Sequence, residues 1–182
     1  MSQPNLINRI IEAIPGIDKA NPKSISMPPN TVLTKYKSGK ERQETWNYRF
    51  LFGILNYLVN TTHPELVYSV HQCARFCNDS KHGPEQAVKQ IIRYLINNRI
   101  TTGDKSKYHS LMFKIDRNQS IICYVDASFA GDWIQIWNEE SSSVFSRTGY
   151  VIYYGGYSII WYSKLQSEIS LSTTEEEYIA LS

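Results

Sequence analysis

Cysteine is scarce in this 182-residue chain, and its count is odd: Cys73, Cys77 and Cys123. That number argues against a disulfide framework. No apolar run approaches the ~20 residues that span a bilayer. No basic start followed by an apolar stretch opens the chain, as a secretory leader would. These absences lead to the expectation of an intracellular, soluble protein with no membrane partner. Glycine is sparse too, at nine residues, and none of it builds a phosphate-cradling loop. Gly155-Gly156 fits a hairpin turn instead, because both positions tolerate positive φ.

Apolar and aromatic residues are plentiful. Hydrophobic residues make up 42% of the chain, and 13 tyrosines lead the aromatics. Such a composition supports a packed core and excludes a disordered chain. The net charge of +2 conceals two halves of opposite sign. Residues 1–109 hold 15 Lys/Arg against 8 Asp/Glu, a balance of +7; residues 110–182 hold 4 against 9, a balance of −5. A basic half beside an acidic half suits a chain that holds phosphates with one part and cations with the other. Ordinary variation in surface charge explains the same asymmetry.

Periodicity divides the chain. Ile7, Ile10, Ile11 and Ile14 fall on one helical face, and Pro15-Gly16 ends that helix. Residues 15–44 are rich in proline and polar side chains and read as an extended linker or surface excursion. The stretch from Lys35 to Arg42 is basic. Three helices follow. Thr45 is a candidate cap for the first, whose stripe is Leu51, Ile54, Leu55 and Leu58. The second opens at Pro64, where a missing N–H costs nothing, and buries Leu66, Val70, Cys73 and Cys77. The third opens at Pro84 and buries Val88, Ile91, Ile92, Leu95 and Ile96, leaving Arg93 and Arg99 solvated. From Leu111 the period shortens to two. Leu111–Ile115, Ile121–Val125, Thr148–Tyr154 and Tyr157–Tyr162 read as antiparallel strands, and helical pattern returns at Thr173.

Two constellations carry chemistry. Asp126 leaves a buried apolar run within VDASFAGD, where small neighbours permit close approach and Asp132 adds a second carboxylate. An Asp in that position equally begins a turn. Glu175, Glu176 and Glu177 open the last helix. Tyr178 and Leu181, three residues apart, suggest its sheet-facing stripe and make Glu177 the inward carboxylate. Thr173 with Glu176, or Thr174 with Glu177, equally matches a capping box, and negative charge suits a helix's first turn. His71, Cys73 and Cys77 invite a zinc reading, but Cys73 and Cys77 share an apolar stripe and no fourth ligand lies near in sequence. Buried free thiols account for them better.

The order YRFLFGILNYLVNTTHPELVYSVHQCARF, HGPEQAVKQIIRYL, VDASFAGDW, SRTGYVIYYGG, IIWYSKLQ and LSTTEEEYIALS resembles the pol polyprotein of copia-type LTR retrotransposons. The resemblance runs from about residue 4 onward, from the end of the reverse transcriptase region into the ribonuclease H domain. It implies an α+β chain: a helical connection or thumb-like segment, then a truncated ribonuclease H-like mixed sheet with the start of its first helix. The implied division is a reverse transcriptase remnant and linker over 1–44, a helical thumb-like segment over 45–109, and the truncated domain over 110–182.

By the resemblance, Asp126 and Glu177 are catalytic and metal-binding, Glu177 lying in the pattern Glu177-Tyr178-Ile179-Ala180. The implied cofactor is Mg2+ or Mn2+. The implied partners are an RNA–DNA hybrid or other nucleic acid and other retroelement pol products, in the cytoplasm, a virus-like particle or the nucleus. The family's two later carboxylates have no counterpart before Ser182, so low or no activity alone is expected, with a non-catalytic nucleic-acid-binding or assembly remnant as the alternative.

Overall fold

The computed structural model describes residues 3–28, 31, 33, 40–42, 45–78, 81–101, 116, 118, 120–129 and 145–182. It divides into two compact units, Met1–Leu111 and Met112–Ser182.

The first unit is helical: α1 (Pro4–Glu12), α2 (Tyr48–Thr62), α3 (Val67–Ala74) and α4 (His82–Thr101), with short 3-10 turns at Ile17–Lys19 and Pro64–Leu66. The isoleucine stripe of α1 lies in the core as its spacing requires: Ile7, Ile10, Ile11 and Ile14 are all buried. Burial of such a stripe, rather than intrinsic propensity, is what stabilises a helix of nine residues. They pack in one cluster with Leu51, Leu55 and Leu58 of α2, Val70 and Cys73 of α3, and Ile91, Ile92 and Leu95 of α4. The proline-rich stretch belongs to that packing as well. Ile17 is buried in the same cluster, Ala20 and Met27 pack against it, and the Lys23 N–H donates to the Arg93 carbonyl. The sequence boundary at 44/45 is therefore a change of composition and not a break in the core.

Two helix starts differ from the sequence expectation. Asn47, not Thr45, caps α2, its side chain accepting from the Phe50 N–H at 2.9 Å. Asn is among the strongest N-caps, and it sits directly before the apolar stripe. Helix α4 begins at His82, two residues before Pro84, which occupies its first turn. Within α2, Ile54 is only half-buried, while Phe52 and Val59 join the core.

The second unit holds β1 (Ile122–Ser128), β2 (Arg147–Tyr154), β3 (Tyr157–Leu165) and α5 (Thr173–Leu181). The three described strands form a sheet in the order β1-β2-β3, with both ladders antiparallel. Gly155 and Gly156 join β2 to β3 with φ of 58° and 84°, the left-handed pair that a type I′ hairpin turn needs. The ladder slips between Ile152 and Tyr153, so Ile159 is the extra residue of a bulge. The expected strand Leu111–Ile115 lies outside the described residues. In this unit the buried described side chains are polar: Ser146, Arg147, Ser163, Gln166, Ser170 and Glu176. Its described apolar side chains are half-buried or exposed, Tyr124, Ile160 and Leu171 among the latter.

Candidate functional site

Strand alternation decides where Asp126 points. Along β1, Val125 and Ala127 are half-buried, whereas Tyr124, Asp126 and Ser128 are exposed. Asp126 lies opposite Gly149, which in turn lies opposite Ser163, so these three share one face of the sheet. A Cβ added at Gly149 would make ordinary contact with the Tyr162 carbonyl at 3.8 Å. On one flank that face carries Tyr124 and Tyr153, edge to face at 5.8 Å between centroids, and on the other Ser128 and the buried Arg147.

Helix α5 packs against β1 and β2. Gln166 fixes it there: its Nε2 donates both to Thr148 Oγ1 at 3.1 Å and to the Glu176 carbonyl at 3.0 Å. Thr148 lies opposite Ala127, on the half-buried face of β1. The elements carrying Asp126 and Glu177 therefore touch, and both side chains are exposed.

Three successive glutamates do three different things. Ser172 is the N-cap, its Oγ accepting from the Glu175 N–H at 3.1 Å, and Glu175 Oε2 accepts from the Leu171 N–H at 2.7 Å. Glu176 turns under the helix and is only 3% exposed; its Oε2 is buried without a hydrogen-bond partner. Glu177 stays exposed. The stripe facing the sheet is Glu176, Ile179 and Ala180. This corrects the expected inward stripe: Tyr178 is 71% exposed and Leu181 70%. The capping boxes Thr173/Glu176 and Thr174/Glu177 are likewise displaced by one or two residues to Ser172/Glu175. Nothing in the local pattern separates these three alternatives, since each places a hydroxyl three residues before a Glu.

Asp132, the second carboxylate of VDASFAGD, lies outside the described residues. Carboxylate oxygens are the donors Mg2+ and Mn2+ take, so Asp126 and Glu177 fit such a cation in kind. They fall short in number: among the described residues, no group of three or more His, Cys, Asp or Glu side chains could hold a metal ion.

Burial raises both thiols of the first unit. Burial pushes the Cys73 thiol up to about 12, and the nearby Cys77 adds to the rise. Burial likewise raises the Tyr48 phenol, which donates to the Cys73 carbonyl at 3.0 Å. Of the basic stretch, the described Arg42 is committed inward. It lies over the Trp46 ring at 4.5 Å, donates to the Trp46 carbonyl and faces the fully buried Glu85 at 3.6 Å. Sequence spacing does not reveal this pairing, because 43 positions separate the partners. The signal was a charged residue, Glu85, in the first turn of an otherwise apolar-faced helix.

Neither a protein-family model nor a solved structure matches the chain. Known proteins do. The retrovirus-related Pol polyprotein from transposon TNT 1-94 of Nicotiana tabacum is 35% identical over 185 residues, covering 99% of this chain and 13% of that protein. The corresponding polyprotein from transposon RE1 of Arabidopsis thaliana is 31% identical over 159 residues, 87% of this chain and 10% of the relative. Secreted RxLR effector protein 161 of Plasmopara viticola is 31% identical over 135 residues, 74% of this chain and 84% of the relative. The chain thus spans about a tenth of the length of the two polyproteins. With this similarity running through both the helical unit and the sheet unit, the chain belongs to the retrovirus-related Pol polyproteins of transposons.

Proposed function

We propose that the sheet unit is of the ribonuclease H class, acting on the RNA strand of an RNA–DNA hybrid. One observation carries the reading. A strand presents an exposed mid-strand carboxylate, Asp126, and the antiparallel β2–β3 hairpin returns the chain to a helix that packs on that strand and bears Glu177. When bound, divalent cations supply an activated water and stabilise the leaving oxygen. Asp126, exposed in the middle of β1, would offer its carboxylate oxygens. Glu177, unpaired with any cap donor, offers the second carboxylate from the exposed flank of α5. The sheet-side hydrogen bonds of Gln166 hold the helix against the strands while this happens.

Among the described residues, two carboxylates would supply few of the ligands that two cations need. Mg2+ demands near-octahedral oxygen coordination, so this polypeptide alone binds it weakly and cleaves slowly or not at all. Incubation of the purified chain with an RNA–DNA hybrid and Mg2+ tests this. Little or no cleavage is expected; robust cleavage that Asp126→Asn abolishes overturns the inactivity and keeps the class.

A second reading, a non-catalytic nucleic-acid-binding or assembly piece of a retroelement, draws on the exposed apolar side chains of the sheet unit, Ile122, Tyr124 and Ile160 among them. Salt-dependent binding to hybrid without cleavage, unaffected by Asp126→Asn, favours it. Failure to bind at low salt counts against it.

A further inference from the structure

We propose that α5 occupies two registers one residue apart, exchanging Glu176 for Glu177 at the place beneath the helix. In the observed register the cap is Ser172 with Glu175, and the sheet-facing stripe is Glu176, Ile179 and Ala180. Moving every residue of the helix to its predecessor's place, a turn of about 100° with a 1.5 Å slide, makes Thr173 with Glu176 the cap. The stripe then becomes Glu177, Ala180 and Leu181. The two arrangements use the same kinds of parts. Ser and Thr are both strong N-caps, and each is followed three residues later by Glu. Ala180 takes the place of Ile179 and Leu181 that of Ala180, so one alanine and one four-carbon side chain face the sheet in either register, in exchanged order, and one buried carboxylate replaces another.

Two observations say the seen register is not held strongly. Glu176 Oε2 is buried with no partner, which is costly. Leu181 remains 70% exposed. The link from Gln166 Nε2 to a backbone carbonyl survives the slide, since the Glu177 carbonyl takes the place of the Glu176 carbonyl. The segment 167–171 then extends by Ser172. For the ribonuclease H-class reading, on which this consequence rests, the second register is the one that brings Glu177 beside β1 and frees Glu176 to cap.

Reciprocal thiol labelling tests the two registers without cation or nucleic acid, so its outcome is independent of the catalytic reading. In a Cys123→Ser background, Ile179→Cys and Leu181→Cys are made singly, each combined with Ser172→Ala or with Thr173→Ala. Peptide mass mapping after maleimide treatment reads each site. Ser172→Ala removes the first cap, so labelling at 181 slows and labelling at 179 quickens. Thr173→Ala removes the second, and both changes reverse. Each shift is about fivefold, the population change that loss of one N-cap is worth. Rates at 179 and 181 rising together in the Ser172→Ala chain report fraying and overturn the proposal. Rates unmoved by either cap substitution overturn it as well.

Discussion

Ser172 and Glu175 close the N-terminus of α5 together, the serine oxygen taking the Glu175 N–H at 3.1 Å while the Glu175 carboxylate takes the Leu171 N–H at 2.7 Å. That pairing decides the fate of the next two glutamates: Glu176 goes under the helix and Glu177 stays in water. A buried polar atom without a partner costs about 1–3 kcal/mol. Glu176→Met, apolar and a good helix former, is therefore expected to stabilise the chain by about 1 kcal/mol or more. Glu177→Met at the exposed neighbour changes stability little. Urea unfolding of the two variants, followed by circular dichroism, compares them.

Arg42 and Glu85 carry the strongest electrostatic commitment described in the helical unit. Glu85 is fully buried, with Arg42 at 3.6 Å and His82 at 3.5 Å from its two oxygens. Removing one partner of a buried pair costs up to about 3–5 kcal/mol. Arg42→Ala is expected to fall toward that range, its stacking on Trp46 being lost as well. The double variant Arg42→Ala with Glu85→Met recovers much of the loss. A double-mutant cycle from denaturation midpoints measures the coupling.

Cys73 and Tyr48 give the helical unit an alkaline limit. The folded Cys73 thiol sits at about 12 against 9.0 in its ordinary state, chiefly through burial. The unfolded chain therefore loses its proton first as pH rises. The stability this group contributes is fully present below pH ~9 and is lost as pH climbs from there toward ~12. Tyr48, raised by burial in the same way, adds loss at the alkaline end. Denaturation midpoints measured between pH 8 and 11 should decline steadily. Over the same range iodoacetamide should modify the exposed Cys123 long before the buried Cys73.

Legibility from the sequence depended on how many side chains voted for each element. The isoleucine stripe of α1 and the five apolar positions of α4 repeat often enough that one helical phase satisfies them, and the structure buries them. Gly155-Gly156 announced its turn because few residue pairs accept two positive φ values. Helix α5 was different. Nine residues with three glutamates in line leave its phase to the cap, and Ser172, Thr173 and Thr174 each stand three residues before a glutamate. Tyr178 and Leu181 suggested one phase, and the structure takes another. The pairing of Arg42 with Glu85 was illegible for a separate reason: no local periodicity links a coil residue to a helix start 43 positions later.

Mn2+ titration of the 182-residue chain, read by the loss of the free-ion electron paramagnetic resonance signal, bears most directly on the claim that Asp126 and Glu177 share a cation. Weak binding to the unsubstituted chain is expected, with Asp126→Asn and Glu177→Gln each removing it while Glu168→Gln leaves it unchanged. Binding of the same strength in all four proteins contradicts the assignment.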